Sequence, residues 1–224
     1  MRNYQIEAGQ SSVNPIRDED DLHNCIYFFS KKRDLAKTEN KRKMYDRNYL
    51  LIFLGINTAL RFSDLRRLTV DKVKLNYIYQ RDKKTRKENK ITLHDAVYKE
   101  VMEYIKRNNL VDGDYLFSSQ KGVNKPITRV QGYDIMQQLK KGCKIPYNIG
   151  THTLRKTYGY WFYKQTGDVV ALQSILNHST PAQTLIYIGM QQKEVDTKRK
   201  GFVLKWNVVS AKNIMKVMET IQYL

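Results

Sequence analysis

Residues 150–190 constrain the fold of this chain more than any other stretch, because they encode three consecutive short helices. The apolar side chains of the first helix recur at helical spacing: Leu154, Tyr158, Trp161 and Phe162. Gly167 and Asp168 are typical of a helix end followed by the N-cap of a second helix. That second apolar pattern ends at Asn177, and Pro181 suits the first turn of a third helix.

Polar residues that can carry chemistry stand at defined places in these helices. His152 and Arg155 are three positions apart, so both side chains can lie on one helix face and address one substrate group. His178 follows the second helix directly, and Tyr187 stands near the end of the third. Each residue alone is more often a surface or capping residue, but the set favours a functional site.

A further arginine follows a helix that is apolar nearly all round, from Tyr49 to Leu60. Burying a guanidinium without a partner is costly, so Arg61 needs an anionic group nearby. Asp64 stands one helical turn later and is placed to orient Arg61. Two interpretations remain open, a structural Arg61–Asp64 ion pair or a substrate phosphate.

Residues 72–92 alternate between apolar and polar positions around a basic centre, which predicts a β-hairpin. Lys84 and Thr85 stand at the hairpin tip, where they can reach into a groove of a binding partner. Residues 31–47 are also basic, and we interpret them as a solvated segment that could equally contact phosphate.

The charge balance indicates a polyanionic partner. Forty Lys and Arg against 22 Asp and Glu give a formal net charge of +18, which favours nucleic acid first and an anionic membrane surface second. The first 12 residues contain no apolar signal sequence, and the run from Tyr49 to Ile56 is too short to span a membrane, so we expect a cytoplasmic protein. Cys25 and Cys143 form no CxxC pair and are expected to be reduced thiols, with no zinc site.

The remaining periodicity predicts a mainly helical α+β protein with one small antiparallel sheet. Its other predicted helices are a short one from Asp21, Leu93–Arg107 capped by His94 or Asp95, Ile127–Lys141 closed by Gly142, and one after Ser210. We predict a linker over residues 1–20, a catalytic domain over 21–200 and a helical tail over 201–224 that can contact another protomer.

In chain order, the candidate residues resemble the catalytic set of the tyrosine recombinase (phage integrase) family. The resemblance covers roughly residues 12–200 and is carried by a hairpin lysine and four segments: TALRFSDL, THTLRKT, LNHST and TLIYIGM. It implies the catalytic core fold of DNA breaking-rejoining enzymes, with Arg61, Lys84, His152, Arg155, His178 and Tyr187 as the catalytic residues.

The resemblance assigns a role to each residue. Arg61, supported by Asp64, and Arg155 would hold the pentavalent phosphate with permanently charged donors. Tyr187 would attack phosphorus and form a 3′-phosphotyrosyl link, so that rejoining requires neither metal nor ATP nor another cofactor.

Proton transfer falls to the remaining residues. His152 is the nearest candidate to help remove the phenol proton, and His178 resembles the residue that hydrogen-bonds a non-bridging phosphate oxygen. Lys84 would protonate the departing 5′ oxygen, and its basic neighbours would contact DNA: Lys83, Arg86 and Lys87.

The sequence departs from the family pattern in two places. Asn177 replaces the usual glycine, a mild change because asparagine also tolerates a left-handed backbone. The residues before Asp21 are too few for the N-terminal DNA-binding domain of the family, so we expect a free-standing catalytic domain or a fragment.

These observations predict a site-specific recombinase or integrase of a mobile element such as a phage. It would act on double-stranded DNA as a tetramer, with no membrane partner and no small-molecule cofactor. The alternatives are type IB topoisomerase-like activity, or a basic DNA-binding accessory module that no longer cuts.

Overall fold

The computed structural model describes residues 13–81, 88–120, 122–190 and 200. Its helices are α1 (Glu19–Asp34), α2 (Glu39–Thr58), α3 (Phe62–Leu65), α4 (Asp95–Arg107), α5 (Arg129–Gly142), α6 (Thr151–Thr166), α7 (Val169–Leu176) and α8 (Pro181–Ile188). Three strands, β1 (Val73–Lys74), β2 (Tyr77–Arg81) and β3 (Glu88–Thr92), form one antiparallel sheet in the order β1-β2-β3. The predicted α+β class, mainly helical with a small antiparallel sheet, is therefore confirmed.

The chain divides into two compact units, Met1–Gly189 and Met190–Leu224, and all the elements named above lie in the first. The predicted helical tail lies outside the described residues. The predicted division at residues 20 and 200 stays a prediction.

Helix α2 lies at the centre of the core and contacts α1, α4 and α6. Its central side chains are at most 1% exposed: Leu50, Leu51, Ile52 and Leu54. The helix is capped by Thr38, whose hydroxyl accepts from the backbone of Lys41, and it therefore begins ten residues earlier than Tyr49. It ends at Thr58, where Ala59 takes a left-handed conformation with φ of 55°. The predicted buried helix is thus confirmed and is longer than predicted.

The basic segment 31–47 is largely exposed, as predicted, but its last two residues are buried. Asp46 is 3% exposed and binds two arginines, Arg33 at 2.8 Å and Arg107 at 3.2 Å. Arg47 is also buried and donates to a backbone carbonyl at 2.9 Å. Part of the segment's charge therefore stabilises the fold between α1, α2 and α4 and does not face solvent.

The predicted hairpin is formed by β2 and β3, which pair from Tyr77↔Thr92 to Arg81↔Glu88. Ile78 is fully buried and anchors the sheet on the core. The predicted cap of the following helix is His94, whose Nδ1 accepts from the backbone of Ala96 at 3.2 Å.

Helix α5 ends at Gly142, the glycine predicted to close it, although the C-cap is the next residue. A Cβ at this position would lie 2.1 Å from the Phe28 ring of α1, so a larger residue would displace that ring. The next residue, Cys143, caps the helix. It is a free thiol, as is Cys25, and hydrogen bonding with Cys143 together with burial raises the pKa of Cys25.

The three helices predicted in residues 150–190 are present as α6, α7 and α8. Gly167 ends α6 with φ of 71°, and Asp168 caps α7 by accepting from the backbone of Ala171 at 2.8 Å. Asn177 ends α7 in the left-handed region, as its replacement of glycine predicts. The described residues contain no helix long and apolar enough to cross a membrane.

Candidate active site

Arg155 is the buried anchor of the candidate site. It lies in the second turn of α6 and is only 7% exposed. Its Nη1 donates to the carbonyl of Ala59, just after α2, and its Nη2 donates to the carbonyl of Leu176, at the end of α7, at 2.7 Å. The left-handed turn at Ala59 is what presents that carbonyl to the guanidinium. Three separate elements therefore fix Arg155 in one orientation.

His178 and Tyr187 lie next to this anchor and contact each other. Their ring centroids are 4.9 Å apart, with the planes at 75°, which is an edge contact. His178 Nδ1 lies 3.1 Å from Oγ1 of Thr184, which is buried one helical turn before Tyr187. Burial lowers the pKa of His178, and the charges of Arg155 and Arg61 lower it further, so the imidazole is neutral at pH 7.

The Tyr187 phenol is protonated in the resting protein. Burial raises its pKa, although the charge and hydrogen bonding of Arg155 and the charge of Arg61 act in the opposite direction. Lys156 Nζ also lies 5.3 Å from the ring centroid. A phenol in this state needs a proton acceptor before it can act as a nucleophile, and cations nearby to stabilise its anion.

Arg61 provides the exposed cation of the site. It precedes α3, and within the described residues its side chain forms no hydrogen bond or ion pair. The structural ion pair with Asp64 is therefore not formed. Asp64 instead accepts from the hydroxyl of Ser63 at 3.2 Å, and its negative charge acts on Arg155. The Arg61 guanidinium is left available for an anionic ligand.

His152 lies in the first turn of α6 and is more exposed than Arg155. Burial lowers its pKa first, followed by the charges of Arg155, Lys156 and Arg61. His152 is therefore neutral at pH 7 and can accept a proton.

The fold thus brings five of the six predicted catalytic residues into one electrostatic neighbourhood, Arg61, His152, Arg155, His178 and Tyr187. The sixth, Lys84, lies outside the described residues, as do Lys83, Arg86 and Lys87.

The sequence did not indicate three residues that contact Tyr187, its neighbour His178 or the end of its helix. Thr184 contacts His178, and Lys156 donates to the carbonyl of Val13 at 3.0 Å while facing the Tyr187 ring. Arg17 donates to the carbonyl of Gly189, which ends the Tyr187 helix. No spacing rule joins residues about 170 positions apart, so only the fold reveals the Arg17 contact.

Comparison with known proteins identifies the family of this chain. A model of the phage integrase family matches residues 29–194, which contain all the predicted catalytic positions. The chain belongs to the phage integrase family. The predicted family and enzyme class, a tyrosine-type site-specific recombinase, are confirmed.

Relatives of this phage integrase family member are also named as recombinases. This chain is 42% identical over 164 residues to the probable integrase/recombinase YoeC of Bacillus subtilis strain 168. The match covers 73% of this chain and 85% of YoeC. This chain is 27% identical over 154 residues to the tyrosine recombinase XerC of Caldanaerobacter subterraneus, covering 67% of this chain and 43% of XerC. The chain therefore spans less than half of XerC.

Solved structures of the same family share the fold. The XerA recombinase aligns with a TM-score of 0.67 at 22% identity, over 86% of this chain and 67% of XerA. The catalytic domain of bacteriophage HP1 integrase aligns with a TM-score of 0.51 at 18% identity, over 84% of this chain and 94% of that domain. The described fold therefore matches nearly the whole of the HP1 domain.

Proposed function

We propose that this chain cuts and rejoins duplex DNA at specific sites through a 3′-phosphotyrosyl intermediate on Tyr187. The observation that carries the proposal is that a buried, oriented arginine and an exposed arginine both act on one phenol, which contacts a neutral histidine. A second neutral histidine lies close to the same two arginines. Each of these groups is needed at a phosphodiester, and their positions come from four different parts of the chain.

The two arginines would stabilise the phosphorane. Cleavage places additional negative charge on the phosphate oxygens, and fixed guanidinium donors stabilise that charge without reorganising. Arg155 is already oriented by two carbonyls, whereas the exposed Arg61 would approach from solvent with the incoming phosphate. Asp64 would moderate the charge of Arg155.

Proton transfer would use the neutral histidines and a lysine. His152 would take the phenol proton as Tyr187 forms its bond to phosphorus. His178 would hold a non-bridging oxygen. The bond between phosphorus and the 5′ oxygen of the next nucleotide would then break, and that oxygen would take a proton from Lys84. Rejoining would reverse these steps, with no cofactor required.

The partner would be double-stranded DNA, for which the net charge of +18 supplies the long-range attraction. Among the related structures, XerH is bound to its difH substrate and the Tn1549 transposon integrase is bound to circular intermediate DNA. These neighbours support DNA as the substrate and a mobile element as the origin. A DNA-bound tetramer, which recombination requires, and a cytoplasmic location belong to the same proposal.

The test is covalent capture. A pool of duplexes with randomised sequence, each nicked a few nucleotides 3′ of the candidate cut, is incubated with the protein, because loss of the short 5′-hydroxyl fragment traps the adduct. Protein-linked DNA that survives denaturation is amplified and sequenced. We expect a defined consensus with wild type and no adduct with Tyr187→Phe.

The other outcomes separate the alternatives. Sequence-specific binding without any adduct from wild type would overturn the proposal in favour of a DNA-binding accessory module. Relaxation of supercoiled plasmid, with adducts but no consensus and no recombinant product, would instead identify a type IB topoisomerase-like enzyme.

A further inference from the structure

Arg17 belongs to a short segment, residues 13–17, that is fixed to helix α6 before α1 begins. Ile16, the residue before Arg17, is fully buried. Its backbone N–H donates to the hydroxyl of Thr157 at 2.9 Å, and its carbonyl accepts from the indole N–H of Trp161 at 2.9 Å. Two side chains of one helix therefore fix the backbone next to Arg17.

The Arg17 side chain joins this fixed segment to the helix that carries Tyr187. Its Nη2 donates to the carbonyl of Gly189, which is the C-cap residue of α8, and its guanidinium carbon lies 5.3 Å from the ring centroid of Tyr160. The carbonyls at the end of a helix lack an intrahelical partner, and a cation is favourable there. Arg17 therefore binds the end of α8 two positions after the proposed nucleophile.

The contact depends on both partners and is a poor source of stability. Gly189 has φ of 71°, and a Cβ at this position would collide with the Arg17 guanidinium. Nε of Arg17 is buried without a hydrogen-bond partner, and Arg17 forms no ion pair within the described part of the chain. A buried cation without a carboxylate and with an unsatisfied donor adds little to stability. The arginine is better explained by what it holds in place.

The end of α8 needs to be held because Tyr187 and Arg155 must meet one phosphate from different helices. Helix α8 has only eight residues, and an isolated helix of this length is unstable. Ile188 packs on Gly159 of α6, where a Cβ would lie 2.7 Å from the Ile188 side chain. Apolar packing permits small displacements along the contact, whereas a hydrogen bond has a preferred direction. A misplacement of about 1 Å can slow a reaction by about 100-fold.

We propose that Arg17 is a positioning residue for the nucleophile, which holds the end of α8 through the Gly189 carbonyl and so fixes Tyr187 relative to Arg155. The consequence for the rate of cutting rests on the proposed function, whereas the placement of the Tyr187 ring does not. The competing role for a cation near this site is a direct contact with a DNA phosphate. The two roles differ in what is lost when Arg17 is replaced.

The placement of the ring can be measured without DNA. The Tyr187 ring lies 4.9 Å from the His178 ring and shifts its C–H signals in ¹H–¹³C spectra of ¹³C-histidine-labelled protein. His178→Gln identifies these signals among the four histidines, and Tyr187→Leu gives their position without the ring. We expect Arg17→Met, which cannot donate, to move the signals towards those of Tyr187→Leu. Arg17→Lys, which keeps a donor at similar reach, should stay close to wild type.

Kinetics of adduct formation on the captured DNA provide the second readout. At saturating protein, Arg17→Met should slow single-turnover cleavage by about 10- to 100-fold, and Arg17→Lys should restore most of the rate. The salt dependence of DNA binding should not change in either variant. If Arg17 instead contacts a phosphate, the slope of log K against log salt falls by about 0.9 in Arg17→Met and the saturated rate stays that of wild type.

The matched control is Arg47→Met, in the first half of α2. It also removes an arginine-to-carbonyl bond, 2.9 Å to Ser118, together with two bonds to Asn48. Its loss of stability should therefore be at least as large as that of Arg17→Met. At a temperature where both variants are folded, we expect Arg47→Met to cut at the wild-type rate.

Gly189→Ala tests the same contact from the other partner, because its Cβ displaces the guanidinium, and it should move the His178 signals as Arg17→Met does. Unmoved signals in these two variants, or a wild-type saturated rate in Arg17→Met, would overturn the inference. So would Arg17→Lys as slow as Arg17→Met, or equal slowing by Arg47→Met. Absence of any adduct from wild type would overturn the proposed function, and the histidine spectra would still decide whether Arg17 places the Tyr187 ring.

Discussion

Replacing Asp46 by asparagine should destabilise the fold far more than replacing its neighbour Asp34. Both carboxylates bind Arg33, Asp46 at 2.8 Å and Asp34 at 2.9 Å. The Asp46 side chain is 5% exposed and also accepts from Arg107 and Asn108, whereas the Asp34 side chain is 64% exposed. The two substitutions therefore compare a buried and an exposed partner of the same arginine.

The expected magnitude follows from burial. Removing one partner of a buried ion pair costs about 3–5 kcal/mol. Arg33 and Arg107 are 23% and 37% exposed and can recover some hydration, so Asp46→Asn should cost about 3 kcal/mol, at the low end of that range. A loss of this size lowers Tm by about 6–12 °C for a chain of this length. Asp34→Asn should cost less than about 1 kcal/mol, as exposed pairs do.

Urea unfolding of wild type and both variants measures this difference, and its pH dependence gives a second check. Burial opposes the charged form of Asp46, but hydrogen bonds from Arg33, Arg107 and Asn108 outweigh it and hold its pKa below the ordinary value. The stabilisation is therefore complete above about pH 4, the pKa of an unfolded aspartate, and is lost as the pH falls through the folded value. Equal losses in the two variants at pH 7, or a gap that widens in acid, would refute this reasoning.

Three further predictions concern the site and its supports. Burial and nearby cations lower the pKa of His152. The rate of adduct formation at subsaturating DNA should therefore rise with pH through a pKa below about 6.5, and His152→Gln should lose this pH dependence. If the variant keeps the pH dependence, His152 is not the base. Gly132→Ala would place a Cβ 2.0 Å from the Phe62 ring. Thermal unfolding should therefore show that the free energy of unfolding falls by about 1–3 kcal/mol because of overpacking. A Tm equal to that of wild type would contradict the packing. The backbone of residue 177 is left-handed, so Asn177→Ala should lower the free energy of unfolding in urea by about 1 kcal/mol. Asn177→Gly should change it by only about 0.3 kcal/mol. Equal stability of the two variants would show that the backbone there is not strained.

Local signals in the sequence were sufficient for much of the fold. The helix pattern, the glycine and the aspartate around residue 167 predicted two helices and the turn between them, because caps act on backbone groups a few residues away. The apolar run after Tyr49 predicted a buried helix for a similar reason. The beginning of that helix was missed, since Asp46 and Arg47 look like solvent-facing charges until their partners are known.

The candidate site also has features that the sequence predicted and features that it did not. Its residue types could be recognised from short motifs, and the described residues among them lie in one neighbourhood. The absence of the Arg61–Asp64 ion pair could not be foreseen, because a spacing that permits a contact does not select it over Ser63 or solvent.

The sequence alone determined the helices, the hairpin and the residue types offered to a phosphate, since these depend on periodicity, caps and short motifs. Only the tertiary structure decided which groups are buried, which carbonyls orient Arg155 and which hydroxyl faces His178. Those contacts join residues that are close in space, and their strength depends on desolvation, which no linear pattern records.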